Sequence, residues 1–162
     1  MRVWSHLVAS HATLARRFPS HALTAIEDAI TASEKLHSAE IRVAIEVALD
    51  LRALWRIKSA RQRALEVFTE LEVWNTRERN GVLMYMLLAE RDVEIVADSG
   101  FDGRVEQAEW RRVCERIERE FKLGHWRDGV LNGIEAITVL LTREFPATGP
   151  NPNEQQNRPA VF

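Results

Sequence analysis

Hydrophobic positions along the chain change period several times, and each change marks a predicted element. Trp4, Leu7, Val8, Leu14, Ala15 and Phe18 recur at helical spacing with Arg16 and Arg17 beside the stripe. This predicts a short amphipathic helix over residues 4–18, ended by Phe18-Pro19. The pattern restarts at Ser20, a predicted N-cap, with Leu23, Ile26, Ala29 and Ile30 on one face as far as about Lys35. Ile41, Val43, Ile45, Val47 and Leu49 then alternate with Arg42, Ala44, Glu46 and Ala48, the period-two signature of a half-buried strand. Ser59 is placed to cap the next helix, whose apolar side runs through Ala64, Val67, Phe68 and Leu71 and stops near Trp74.

Val82–Leu88 shows no alternation, so it predicts a central strand covered on both faces. A short polar turn separates it from Val93–Asp98, and the two form a hairpin. Trp110, Val113, Cys114, Ile117 and Phe121 share one face of a following helix that Gly124 ends, which makes Cys114 a core residue. A last helix runs from about Trp126 to Phe145, with Gly129, Gly133 and Ala136 on a side suited to close packing against the sheet. Beyond it lie four of the five prolines and little that is apolar, which predicts a disordered tail. The fold class is therefore α/β, a three-layer α/β/α sandwich with a small mixed sheet. It contains a βαβ unit with a right-handed crossover and one β-hairpin. The predicted division is an accessory helix over 1–17, a domain over 18–146 and a tail over 147–162.

Composition narrows the class. With 46% hydrophobic and 28% charged residues the chain has enough apolar side chain for one core, which excludes disorder throughout. A formal charge of -2 argues against a dedicated nucleic-acid binder, and a single cysteine excludes both an intramolecular disulfide and a thiolate zinc cluster. The opening residues carry no continuous apolar core of a signal peptide, and no apolar run approaches the roughly 20 residues of a membrane-spanning helix. A cytoplasmic location is the expectation. The stripe over residues 4–18 leaves peripheral membrane contact as an alternative to packing on its own domain.

The topology brings loops together at one end of the sheet. If the first two strands are parallel, their starts meet the finish of the third, so one rim gathers Glu40, Asn75, Asn80, Asp98 and Asp102, with Glu34 and His37 nearby. Carboxylates and amide carbonyls without thiols are hard ligands. They suit Ca²⁺ or Mg²⁺ rather than zinc, and Asp98, Asp102, Asn80 and Glu40 are the candidate set. Trp74, Asn75, Gly81 and Gly100 would shape the pocket around it. The alternative is that Asp98, Ser99 and Asp102 serve turn geometry and local backbone hydrogen bonds. No nucleotide, zinc-protease or serine-hydrolase motif is present, so no organic cofactor is expected.

Trp74-Asn75-Thr76, Asn80-Gly81-Val82-Leu83 entering an apolar strand, and Ala89-Glu90-Arg91-Asp92-Val93-Glu94-Ile95-Val96-Ala97-Asp98-Ser99-Gly100 together resemble the TPM domain. That domain occurs in bacterial membrane-associated proteins and in a thylakoid-lumen protein of photosystem II repair. The similarity runs from about Phe18 to Pro146 and is strongest to a short bacterial form. Ser33-Glu34, Glu40-Ile41-Arg42, Phe121, Gly124 and Gly129 add to it. The resemblance implies a three-layer fold with a polar rim pocket, divalent-cation binding in some members and weak acid-phosphatase activity in the plant relative. Two departures stand out: Arg79 replaces the usual amide or acid before Asn80-Gly81, and Asn75 stands where the short form often has Asp. Both lower the negative charge of the rim.

The leading expectation is a TPM-type binding or interaction module, with a protein as partner and a role in maintaining membrane or protein complexes. The alternatives are a metal-dependent acid phosphatase and a peripheral membrane protein acting through residues 4–18.

Overall fold

β1 (Glu40–Glu46) and β2 (Gly81–Leu87) pair in parallel, and β2 pairs antiparallel with β3 (Asp92–Ala97), as the hydrophobic pattern predicts. The computed structural model describes residues 11–49, 59–150 and 152–162. Trp4, Leu7 and Val8 of the first predicted helix lie outside the described residues. Five helices are described: α1 (His11–Arg17), α2 (Ser20–Ser33), α3 (Ala60–Glu70), α4 (Gln107–Leu123) and α5 (Trp126–Glu144). A fourth strand, β4 (Ala160–Val161), pairs in parallel with β1 and gives the sheet order β3-β2-β1-β4.

Local chemistry sets the helix ends. Ser59 accepts a hydrogen bond from Gln62 N, Glu106 and Glu109 form a capping box on α4, and Gly124 closes α4 in the left-handed conformation at φ 85°. Pro19, not Ser20, is the residue that precedes the first turn of α2, because its fixed φ of -63° and extended ψ lead directly into the helix.

The two sheet faces carry separate cores. Ile41, Val43, Ile45, Val82, Met84 and Met86 face α2, α4 and α5, where Phe18, Phe121 and Trp126 meet edge-on or tilted with ring centroids 4.7–6.4 Å apart. Burying Phe18 alone stabilises the fold by roughly 1.5–3 kcal/mol. Leu83, Tyr85, Leu87 and Val96 face α3 on the other side. Gly129 and Gly133 admit Glu120, Phe121 and Ile117, so their chief role is close packing of α5 on α4. Met84 of the sheet also reaches Gly133, so the expected helix-to-sheet packing is joined, at closer range, by packing of α5 on α4.

Two further expectations are corrected. β1 is buried along its whole length rather than half-buried, because its polar side chains meet partners on the α3 face. Glu46 accepts from Tyr85 Oη at 2.7 Å and from Arg63 Nε at 2.9 Å. The segment expected to be a disordered tail is ordered: residues 152–162 run back over β1, Phe162 N donates to Ile45 O, and Val47 N donates to Phe162 O. Its prolines and amides rule out a hydrophobic core of its own, and it is held instead by polar contacts to β1 and the turn after α3.

Candidate functional site

The rim forms where the topology predicts. Glu40 stands opposite Gly81 across the parallel ladder, Glu40 N donates to Asn80 O, and Asp98 N donates to Gly81 O at 2.9 Å. The glycines act as seats for neighbouring backbone. A Cβ on Gly81 would lie 2.0 Å from the Val73 carbonyl oxygen, and one on Gly100 would lie 2.5 Å from the Arg79 carbonyl oxygen. Gly100 N donates to that same Arg79 oxygen at 2.8 Å. Arg79 adopts φ 54°, a left-handed conformation that Asn and Asp tolerate better than other side chains. The amide or acid usual at this place in the family pattern therefore has a backbone reason.

The four predicted ligands do not share one centre. Glu40 is fully buried and its Oε2 accepts from Gln155 N at 3.1 Å. Asn80 donates through Nδ2 to Ser38 O and to Glu78 Oε2, both at 3.1 Å, and Ser38 Oγ donates to the same Glu78 oxygen at 2.7 Å. Asp98 Oδ1 accepts from Ser99 N at 2.7 Å and caps a short 3-10 turn over Ser99–Phe101, while Asp102 is exposed just beyond that turn.

Strand alternation separates the set further. Asn80 continues the face of Val82 and Met84, whereas Asp98 continues that of Val96, on the opposite side. Glu40 shares a face with Asp98, and the Val73 carbonyl is seated on Gly81, the strand neighbour of both. Asn80 Oδ1 and Asp98 Oδ2 are buried acceptors without a donor among the described residues. Even so, no group of three His, Cys, Asp or Glu among the described residues converges closely enough to hold a metal ion. A hard cation that needs six to eight oxygens does not fit these donors.

Two side chains that the sequence placed only near the rim, Glu34 and His37, prove central. Glu34 accepts from Ile41 N at 3.3 Å and from Asn157 Nδ2 at 2.9 Å. Burial, and secondly the carboxylate of Glu40, push its pKa up to about 7. His37 is fully buried and its Nδ1 donates to Ala39 O at 2.9 Å, which leaves Nε2 to accept from Ser33 Oγ at 2.8 Å. Burial pushes the His37 pKa down to about 4, and Ser33 is itself tied to Thr138 Oγ1 on α5 at 2.6 Å. With both groups under a tenth exposed, this Ser-His pair locks α2 to α5.

The rim opens into a groove of about 510 Å³ bounded by Arg42, Glu70, Leu71, Glu72 and Asn75 on one side and by residues 153–156 on the other. Asn75 lines it as expected, while Trp74 is 41% exposed and stands outside it. Arg42 is the residue the alternating pattern concealed, being written as one of the outward-facing polar positions of β1. It is buried, burial lowers its pKa, and its guanidinium donates to the carbonyls of Gln156 and, at 2.7 Å, of Arg158. Gln155 Nε2 reaches Glu72 O at 3.1 Å, and Glu154 pairs with Arg77 at 3.1 Å. No local signal in the sequence links Arg42 to a segment more than a hundred residues away.

Known proteins place this architecture. The model of the TPM domain matches residues 15–140. The NMR structure of BA42 from the psychrophilic bacterium Bizionia argentinensis is similar, with 30% identity over 88% of this chain and 94% of that one and a TM-score of 0.77. The N-terminal domain of a P. gingivalis protein has the same fold at 17% identity, with a TM-score of 0.60, covering 93% of this chain and all of that one. No curated protein matches the chain. Among the described residues no helix is long and apolar enough to cross a membrane. The chain belongs to the TPM domain family.

Proposed function

We propose that this TPM domain is a binding module for an extended peptide segment, with the groove between β1 and the turn after α3 as its recognition site. Residues 153–158 of the chain lie along β1 in cis, and 153–156 of them form one wall of that groove. The observation that carries this reading is the kind of contact made: Glu40 takes the Gln155 main-chain N–H, Arg42 takes the Gln156 and Arg158 carbonyls, and the Glu72 carbonyl takes an amide side chain. Recognition through main-chain groups is how extended peptides dock beside a sheet edge, and it tolerates varied side chains. β4 extends it by pairing with Ala44 and Ile45.

The test is a chain ending at Gly149, checked for a cooperative urea transition, titrated with a synthetic peptide of residues 152–162. Saturable binding is expected in the shortened chain, and Arg42→Met should abolish it. The full chain should bind the peptide far more weakly, because a tethered segment competes at an effective concentration of about millimolar. A folded shortened chain that ignores the peptide, or a full chain that binds it equally well, refutes the reading.

A further inference from the structure

We infer that the cleft between the α1–α2 corner and the first turn of α5 is an anion site that takes a phosphate-bearing ligand. It lies at the end of the sheet opposite the rim: Arg17 Nη1 donates at 3.0 Å to the carbonyl of Leu88, just past the far end of β2. The cleft holds about 320 Å³, and Arg16, Arg17, His21, His125, Trp126 and Arg127 line it.

Its charge is not balanced from within. Asp128 pairs with Arg127 at 2.8 Å, and Glu120, outside the lining, accepts a hydrogen bond from His125 Nδ1 at 2.9 Å, so neither acid reaches Arg16 or Arg17. Arg16 and Arg17 meet no carboxylate among the described residues. Arg17 is fixed by neutral groups only, the Leu88 carbonyl and the face of Trp126, with its guanidinium carbon 4.1 Å from the ring centroid. Burial lowers its pKa, and Arg91 and Arg16 lower it further, the direction expected of a cation crowded by other cations.

In a chain with more acids than bases, uncompensated arginines around an open cleft invite an oxyanion. A guanidinium fork held in one orientation matches two phosphate oxygens, and its neighbour Arg16 supplies the second positive charge that a phosphate dianion calls for. The indole of Trp126 offers an apolar wall for whatever carries the phosphate.

The test uses the full chain, following the Trp126 indole N–H by NMR while inorganic phosphate replaces chloride at matched ionic strength. A saturable shift is expected. Arg16→Gln, which removes an exposed side chain with no bond among the described residues, should weaken it about threefold or more. Arg17→Lys, which keeps the charge and loses the fork, should weaken it about tenfold. Sedimentation with phosphatidylglycerol vesicles, against pure phosphatidylcholine, tells the sources apart. Binding of both phosphate and the anionic vesicles assigns a lipid headgroup, and binding of phosphate alone assigns a soluble phosphate ester. The proposal is overturned by the absence of a saturable response well into the millimolar range, by an Arg16→Gln variant that binds as tightly as the parent, or by a response to poly-glutamate without one to phosphate.

Discussion

Replacing Glu34 with glutamine should flatten one component of the chain's stability against pH, and the size of that component follows from the rim geometry. Burial first, and the Glu40 carboxylate second, raise the Glu34 pKa from the ordinary 4.5 to about 7. Between those values the folded chain holds a proton that the unfolded chain has released, so stability falls as pH rises from 4.5 through 7 and is recovered on acidification. At 1.36 kcal/mol per pH unit the full difference is about 3.4 kcal/mol. Because the side chain is only partly buried and accepts two hydrogen bonds, roughly 1–2 kcal/mol is the expected effect.

Two other groups titrate in the same pH range. Asp92, raised to about 6 chiefly by burial, acts in the same sense between 3.8 and 6. His37, lowered from 6.5 to about 4 chiefly by burial, acts in the opposite sense: its contribution is present above 6.5 and lost as pH falls toward 4. The parent profile alone is therefore a sum of opposing parts, and the difference between parent and Glu34→Gln isolates the one carboxyl. Urea titrations of both chains at pH 5 and pH 8 should show the variant gaining roughly 1–2 kcal/mol on the parent between the two pH values, over a constant loss where the amide N–H meets one of the two donors, with unchanged m-values. Parallel behaviour at both pH values, or a gain toward pH 5 instead, would refute the account of Glu34.

Gly81→Ala should cost about 3 kcal/mol or more in urea unfolding, because the Val73 oxygen that its Cβ would meet at 2.0 Å belongs to backbone that cannot move aside; a loss below about 1 kcal/mol would contradict the packing. Arg79→Asn should raise stability by about 0.5–1 kcal/mol by relieving the left-handed φ of 54°, and a decrease in the urea midpoint would show that the arginine has a role there beyond the backbone. Burial pushes the Cys114 thiol up to about 12, so an aromatic disulfide reagent at pH 8 should leave it untouched in the folded chain and label it at once in urea; prompt native-state labelling would refute its burial.

Much of the fold was legible because its signals are local. The unbroken apolar run Val82–Leu88 belongs to a strand sealed on both faces, and the three-four spacing of Trp110, Val113, Cys114, Ile117 and Phe121 matches the buried face of α4. Topology alone also told which loops meet at the rim, since parallel pairing of β1 with β2 and the return of β3 leave little choice. Two things were hidden by the same cause. Arg42 and Glu46 are polar on an alternating strand, and that pattern is identical whether water or a distant partner satisfies them; here the partners are Gln156, Arg158, Arg63 and Tyr85. The tail composition forbids a hydrophobic core, but not an ordered path held by amides and carbonyls. Within the site, Gly81 marks a meeting of backbones in sequence, and the structure shows that the backbone it receives is that of Val73.

The rim and the basic cleft resolve their charge in opposite ways, and this constrains what each can bind. Among the described residues the acids at the centre of the rim take neutral donors: Glu40 the Gln155 N–H, Glu34 Asn157 and the Ile41 N–H, Glu78 Ser38 and Asn80, and Asp98 the Ser99 N–H. Two of those donors, Gln155 and Asn157, belong to the returning segment. Displacing it would leave Glu34 and Glu40 close together with fewer hydrogen bonds, and like charges in a buried place are costly. Any partner that takes over the groove must therefore bring main-chain or side-chain N–H groups at the same two places and carbonyls for Arg42, which a second extended peptide does and a purely apolar ligand does not. At the opposite end Asp128 is held by Arg127, and Arg16 and Arg17 meet no carboxylate among the described residues, so that end calls for acceptors instead. A single ligand chemistry cannot satisfy both ends, and the two sites should be separable by mutation, with Arg42→Met affecting only the peptide groove and Arg16→Gln only the cleft.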